Sequence, residues 1–196
     1  MSSPWWGNAF SFLSILIFRY PFQPFEYLLI QNAFVPVALM TWVYALGELT
    51  FPKQKYKLIA IYFSICIAYL IYLIISLLIN PDIIGVQKGG IFDYDRKLLP
   101  LLFSFFAIIN TVILGLLFAY KAIQSKDPKI KWKGRFLFIA ILSFVLLAIL
   151  DVVFVGEIYL LIRVIIRLLL ITSGIEYYIA FFLPKFLNKR LIEKEV

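Results

Sequence analysis

Five runs of about twenty mostly apolar residues, separated by short polar connections, constrain this chain more than anything else in it. They fall at about Tyr27 to Leu49, Leu58 to Ile79, Leu98 to Tyr120, Phe136 to Val155 and Ile158 to Leu183. At ~1.5 Å per residue, about 20 residues cross a hydrocarbon core of ~30 Å. A single water-soluble core has no room for five such runs. The chain is 63% hydrophobic and only 15% charged, where soluble domains average about half and about a quarter. The ten-residue alternating segments that a transmembrane barrel needs are absent, so the spans are helices, which satisfy their own backbone groups in lipid.

The expected architecture is therefore all-α: a polytopic transmembrane helix bundle over 27–183, with a basic tail at 184–196. Residues 1–26 are expected to form a short interfacial helix broken by Pro21 and Pro24, with Trp5 and Trp6 at the headgroups. A sixth span is the competing reading of that segment. It lacks a basic n-region and a small-x-small site, so it does not read as a cleaved signal. No internal repeat suggests the inverted halves of a transporter.

Charge sets the expected orientation. The connections and tail on one side carry Lys53, Lys55 and Lys57, then Lys121, Lys126, Lys129, Lys131, Lys133 and Arg135, then Lys185, Lys189, Arg190 and Lys194. The other side carries Arg19, Lys88, Arg96 and Lys97. The positive-inside rule puts the lysine-rich side and the C-terminus in the cytoplasm of a cell-membrane protein. With five spans the N-terminus is outside. The net charge of +8 then fits attraction to anionic headgroups, and no aromatic-basic module suggests nucleic acid. A membrane protein partner or a second copy is the other expected contact. Asp127-Pro128, inside the most basic connection, is a turn or helix-start signal.

The absence of histidine removes imidazole acid/base chemistry, histidine-ligated haem and the usual zinc sites. The lone Cys66 forms no internal disulfide. No Walker loop, HExxH, GxSxG, aspartate-rich or GxGD motif is present, so no catalytic residue, metal ligand or cofactor is expected.

Polar residues inside the spans give the candidate site. Arg163 and Arg167 are four apart and share a face of the fifth span. Arg163 lies roughly 7 Å and Arg167 roughly 13 Å from its outer end at ~1.5 Å per residue. Asp151, across the Gly156-Glu157 reversal, is level with Arg163 and would lock the hairpin as an ion pair. Arg167 has no level acid; Asn110 and Thr111 of the third span come to its depth. Tyr62, Cys66, Tyr69, Tyr72 and Ser76 fall on one face of the second span at about 100° per residue. These residues suggest an outward-facing pocket lined by Arg167, Arg163, Asp151, Asn110, Tyr69 and Tyr72, suited to an anionic or carboxylate-bearing ligand. Gln31 and Asn32 would close its top. The bland alternative is packing: a structural ion pair and tyrosines that fill space. Glu48 and Glu176 are each expected to meet a loop lysine.

The function expected from these features is a small membrane sensor, receptor-like or scaffold module with a polar pocket in the outer half of the bundle. The alternative is a transporter or channel component for a small anion. A membrane-embedded enzyme acting on lipid is the third reading.

Overall fold

The computed structural model describes residues 3–87, 94–153 and 160–184. The described residues hold six α-helices: α1 (Ser3–Phe18), α2 (Pro24–Thr50), α3 (Lys55–Ile79), α4 (Leu98–Ile123), α5 (Pro128–Val153) and α6 (Leu160–Phe182). Between α3 and α4 lie a single 3-10 turn, Pro81–Ile83, and the strands β1 (Gly85–Gln87) and β2 (Tyr94–Arg96). The fold is all-α apart from that two-stranded hairpin. Five of the helices are long and apolar enough to cross a membrane, over Pro24–Glu48, Lys55–Ile79, Leu98–Ile123, Pro128–Leu150 and Val164–Phe182.

The distribution of exposed side chains makes the solvent plain. On α3, Ile61, Phe63, Ile65, Ile67, Ile71, Ile74, Ile75, Leu78 and Ile79 are all exposed. A continuous apolar flank of this kind is unfavourable in water at ~25 cal/mol per Å² and is at home in hydrocarbon. The opposite face buries Cys66, Tyr69, Leu73, Ser76 and Leu77, at the spacing of three and four that places side chains on one stripe of a helix.

The chain divides into two compact units, Met1–Thr111 and Val112–Val196. In the first, α2 packs against both α1 and α3. Its buried stripe runs through Tyr27, Leu28, Gln31, Asn32, Val35, Leu39, Val43 and Leu46. Pro24 opens the helix at a position where the missing N–H costs nothing. α1 stops at Arg19, whose φ of 57° is the left-handed conformation of a helix end, with its N–H bonded to the Ile15 carbonyl at 2.9 Å. Gly7 lets α1 come close to α2, since a Cβ there would lie 3.2 Å from both Gln31 Cβ and the Tyr27 carbonyl. The side chains of Trp5 and Trp6 lie outside the described residues.

In the second unit, α5 packs on α6, and Ala119, Leu137, Ile141 and Ala180 form a buried cluster. α5 starts at Pro128, well before the expected Phe136. Asp127 accepts from the Lys129 N–H at 2.8 Å through Oδ1 and from the Lys131 N–H at 3.0 Å through its carbonyl. The cap, followed by proline and lysines of good helix propensity, winds the basic connection into the helix. Lys133 Nζ donates to the Phe181 carbonyl at 2.6 Å, a cation meeting the orphan carbonyls at the end of α6.

Candidate functional site

The hairpin begins with a local device. Asn80 Oδ1 accepts from the Asp82 N–H at 2.9 Å, Pro81 starts the 3-10 turn, and Ile84 is fully buried. β1 and β2 then pair antiparallel with Gly85 opposite Arg96 and Gln87 opposite Tyr94. Gly85 has to be small: a Cβ would lie 3.0 Å from Leu28 Cδ2 of α2 and 3.1 Å from the Asp95 carbonyl. The Lys97 N–H donates to the Ile84 carbonyl at 2.9 Å and fixes the start of α4. Alternation along β2 exposes Asp95 and turns Tyr94 and Arg96 to its partly buried face.

Tyr94 stacks on Tyr27 of α2 with ring centroids 4.4 Å apart. Arg96 reaches Ser104 of α4, donating from one guanidinium nitrogen to its hydroxyl oxygen at 3.3 Å. The Ser104 hydroxyl donates in turn to the Pro100 carbonyl at 2.9 Å. Burial lowers the pKa of Arg96 from its ordinary value, while the Tyr69 and Tyr27 hydroxyls act in the opposite sense. Among the described residues no carboxylate contributes to its environment.

The two tyrosines that act on Arg96 are themselves buried, and α2 carries a further buried polar group. Tyr27 is 1% exposed, and its hydroxyl donates to Asn8 Oδ1 of α1. Tyr69 is 5% exposed, lies flat on Phe103 at 3.7 Å, and has a buried hydroxyl with no hydrogen-bond partner. Asn32 is fully buried; its amide nitrogen donates to the Leu28 carbonyl at 2.8 Å and its Oδ1 is unsatisfied. A guanidinium presents five donors in a planar fork. Here one described bond uses that fork, beside an unsatisfied phenol hydroxyl. Such a cluster can hold a carboxylate or phosphate oxygen.

The residues expected from sequence divide between the two units. Tyr69 belongs to the Arg96 cluster, and Tyr72 lies beside it with ring centroids 6.4 Å apart. Asn110 lies deeper, accepting from the Tyr62 hydroxyl and donating to the Phe106 carbonyl at 2.7 Å. Gln31 and Asn32 are buried on α2. Arg163 and Arg167 fall on α6 and Asp151 on α5, in the second unit, and their side chains lie outside the described residues. Glu157 and the Gly156 reversal are also outside them. Glu48 meets Lys55 at 3.2 Å, as expected. Glu176 makes no ion pair among the described residues, and its Oε2 is buried without a hydrogen-bond partner.

Sequence reasoning missed Arg96, counting it as one charge in a polar connection. Two signals pointed to it. Gly89-Gly90 between short runs marks a hairpin, and Tyr94 and Arg96 share a face at period two.

The fold defines the class, an integral membrane protein with five helices long enough to span. Comparison with protein-family models, with curated proteins and with solved structures gives no match, so the class rests on the helices themselves.

Proposed function

We propose that this chain is a small membrane recognition module, a sensor or scaffold, that binds an anionic group at the Arg96 cluster. The observation that carries the reading is a partly buried guanidinium among tyrosine hydroxyls, with no carboxylate acting on it among the described residues. An anion there would satisfy the Arg96 fork and the Tyr69 hydroxyl together. Deeper in the same unit Tyr69 lies flat against Phe103 and Tyr62 is hydrogen-bonded to Asn110. Polar side chains engaged with their neighbours in this way favour recognition over conduction.

In this reading the positive-inside rule places the hairpin on the outer face and the lysine-rich connections in the cytoplasm. Single cysteines at Asp82 and at Lys126, in a Cys66→Ser background, test it. A membrane-impermeant maleimide added to intact cells labels the first and spares the second; the reverse pattern overturns the orientation.

The binding test is thermal stabilisation of the purified chain by acetate, succinate and inorganic phosphate. Wild type is stabilised by at least one of them, Arg96→Met is not, and Arg167→Met keeps the response. Loss with Arg167→Met alone would move the site to α6, the position expected from sequence. No response in wild type to any of the three would refute the anion reading.

A further inference from the structure

Asn32 of α2 carries a second orphaned group at the depth to which Arg96 reaches. Gly85 pairs with Arg96 across the hairpin, and Leu28 Cδ2 lies 3.0 Å from where a Gly85 Cβ would stand. Asn32 is one turn further along α2, on the same face as Leu28 and about 6 Å deeper at ~1.5 Å per residue. The Arg96 side chain runs in the same direction, since its guanidinium bonds Ser104 in the second turn of α4. Tyr69 comes to that level too, with its ring on Phe103, the neighbour of Ser104. An amide from α2, a phenol from α3 and a guanidinium from the hairpin therefore reach similar depths in one unit.

The Leu28 carbonyl fixes which way the Asn32 amide points. A carbonyl oxygen only accepts, so the atom that meets it at 2.8 Å is the amide nitrogen, and the other atom is Oδ1. Oδ1 is buried and has no hydrogen-bond partner among the described residues. It can only accept. An anion without a donor, such as acetate, would engage the Arg96 fork and the Tyr69 hydroxyl but leave Asn32 Oδ1 orphaned beside a negative charge. A buried acceptor left unpaired is costly enough to decide between ligands. A ligand that brings a donor as well as a charge satisfies all three groups. It has to be small, because Asn32 and Tyr69 are both buried. The more open side is that of the hairpin, where Tyr94 and Arg96 are half-buried.

We infer that the ligand of the Arg96 cluster is a small carboxylate with a hydroxyl or ammonium group on the adjacent carbon. Its carboxylate lies at Arg96 and Tyr69, and its donor lies at Asn32 Oδ1. The inference rests on the anion reading above and narrows it to an α-hydroxy or α-amino acid. Arg96 supplies the charge, and Asn32 sets the specificity.

The test compares acetate, glycolate and glycine by the concentration dependence of the thermal stabilisation they give the purified full chain. Glycolate differs from acetate by one hydroxyl, and glycine has an ammonium group in its place. In wild type glycolate or glycine binds about tenfold tighter than acetate or more, and the tighter of the two identifies the donor. Asn32→Leu removes the preference and brings the better ligand down to the level of acetate. Asn32→Ala serves the same purpose if the larger side chain disturbs packing. Asn110→Leu, which removes a deeper asparagine of α4, leaves the preference intact, and Arg96→Met removes the response to all three. Acetate binding as tightly as both other ligands, or a preference that survives at Asn32→Leu and Asn32→Ala, would overturn the inference and leave the anion reading standing. No response of wild type to any of the three would overturn it as well, and the succinate and phosphate arms above then decide whether the anion reading falls with it.

Discussion

The Tyr62 hydroxyl donates to Asn110 Oδ1, and the Asn110 amide nitrogen donates in turn to the Phe106 carbonyl at 2.7 Å, one turn back on its own helix. One side chain thus satisfies both its groups, one within α4 and one across to α3. The rings above it continue the seam: Tyr62 lies 6.1 Å from Phe106, and Tyr69 lies 3.7 Å from Phe103. In lipid there is no hydrophobic force between helices, so packing and interhelical hydrogen bonds of this kind hold them together.

A double-mutant cycle with Tyr62→Phe and Asn110→Leu should therefore show positive coupling of about 0.6 kcal/mol, the average for such bonds between membrane helices. The measurement is unfolding in mixed micelles. Strictly additive single variants would mean that the bond contributes nothing in the folded bundle.

Two glycines in helices should respond oppositely to alanine. At Gly134 a new Cβ would lie 2.8 Å from Ala122 Cβ and from the Ile123 amide nitrogen, and 2.9 Å from the Ala119 carbonyl. Backbone atoms cannot yield as a flexible side chain does, so α5 must move away from α4. Gly134→Ala should cost about 1–3 kcal/mol by overpacking. At Gly47 nothing lies within 4 Å of the added atom, and Gly47→Ala should stabilise α2 by about 0.5–1 kcal/mol through helix propensity. Thermal unfolding of both variants decides it, and a shift of the same sign in both would contradict the packing described.

Burial raises the Tyr94 phenol above its ordinary pKa of 10.0. The stability that the neutral Tyr94 phenol contributes is thus fully present below pH 10.0 and is lost as the pH rises through the higher folded value. Wild type should lose more thermal stability than Tyr94→Phe between neutral pH and values above about 10. The variant keeps the stacked ring but has no proton to lose. Parallel pH profiles for the two proteins would show that Tyr94 is not the titrating group.

Sequence and structure agree most closely where the physics is local. At Asp127-Pro128 the cap and the proline act within a few residues, so a turn or helix start was legible there; that the lysines which follow stay helical, carrying α5 back from the expected Phe136 to Pro128, was not. Glu48 and Lys55 flank one short connection, and their meeting needed only that α2 and α3 reverse there. The face of α3 that carries Tyr62, Cys66, Tyr69, Tyr72 and Ser76 was legible from a period of 3.6, because a helix fixes which side chains share a side.

By itself, then, the sequence determined five helices suited to a bilayer and which stripe of α3 turns inward, since hydropathy and helical period depend on neighbours in the chain. Only the tertiary structure decided that Arg96, beside Asp95 and Lys97 in a polar connection, turns toward Tyr27, Tyr69 and Ser104. That outcome depends on the register of a short hairpin and on Gly85 leaving room for Leu28. Both are contacts between residues far apart in the chain, and composition and spacing carry no measure of them.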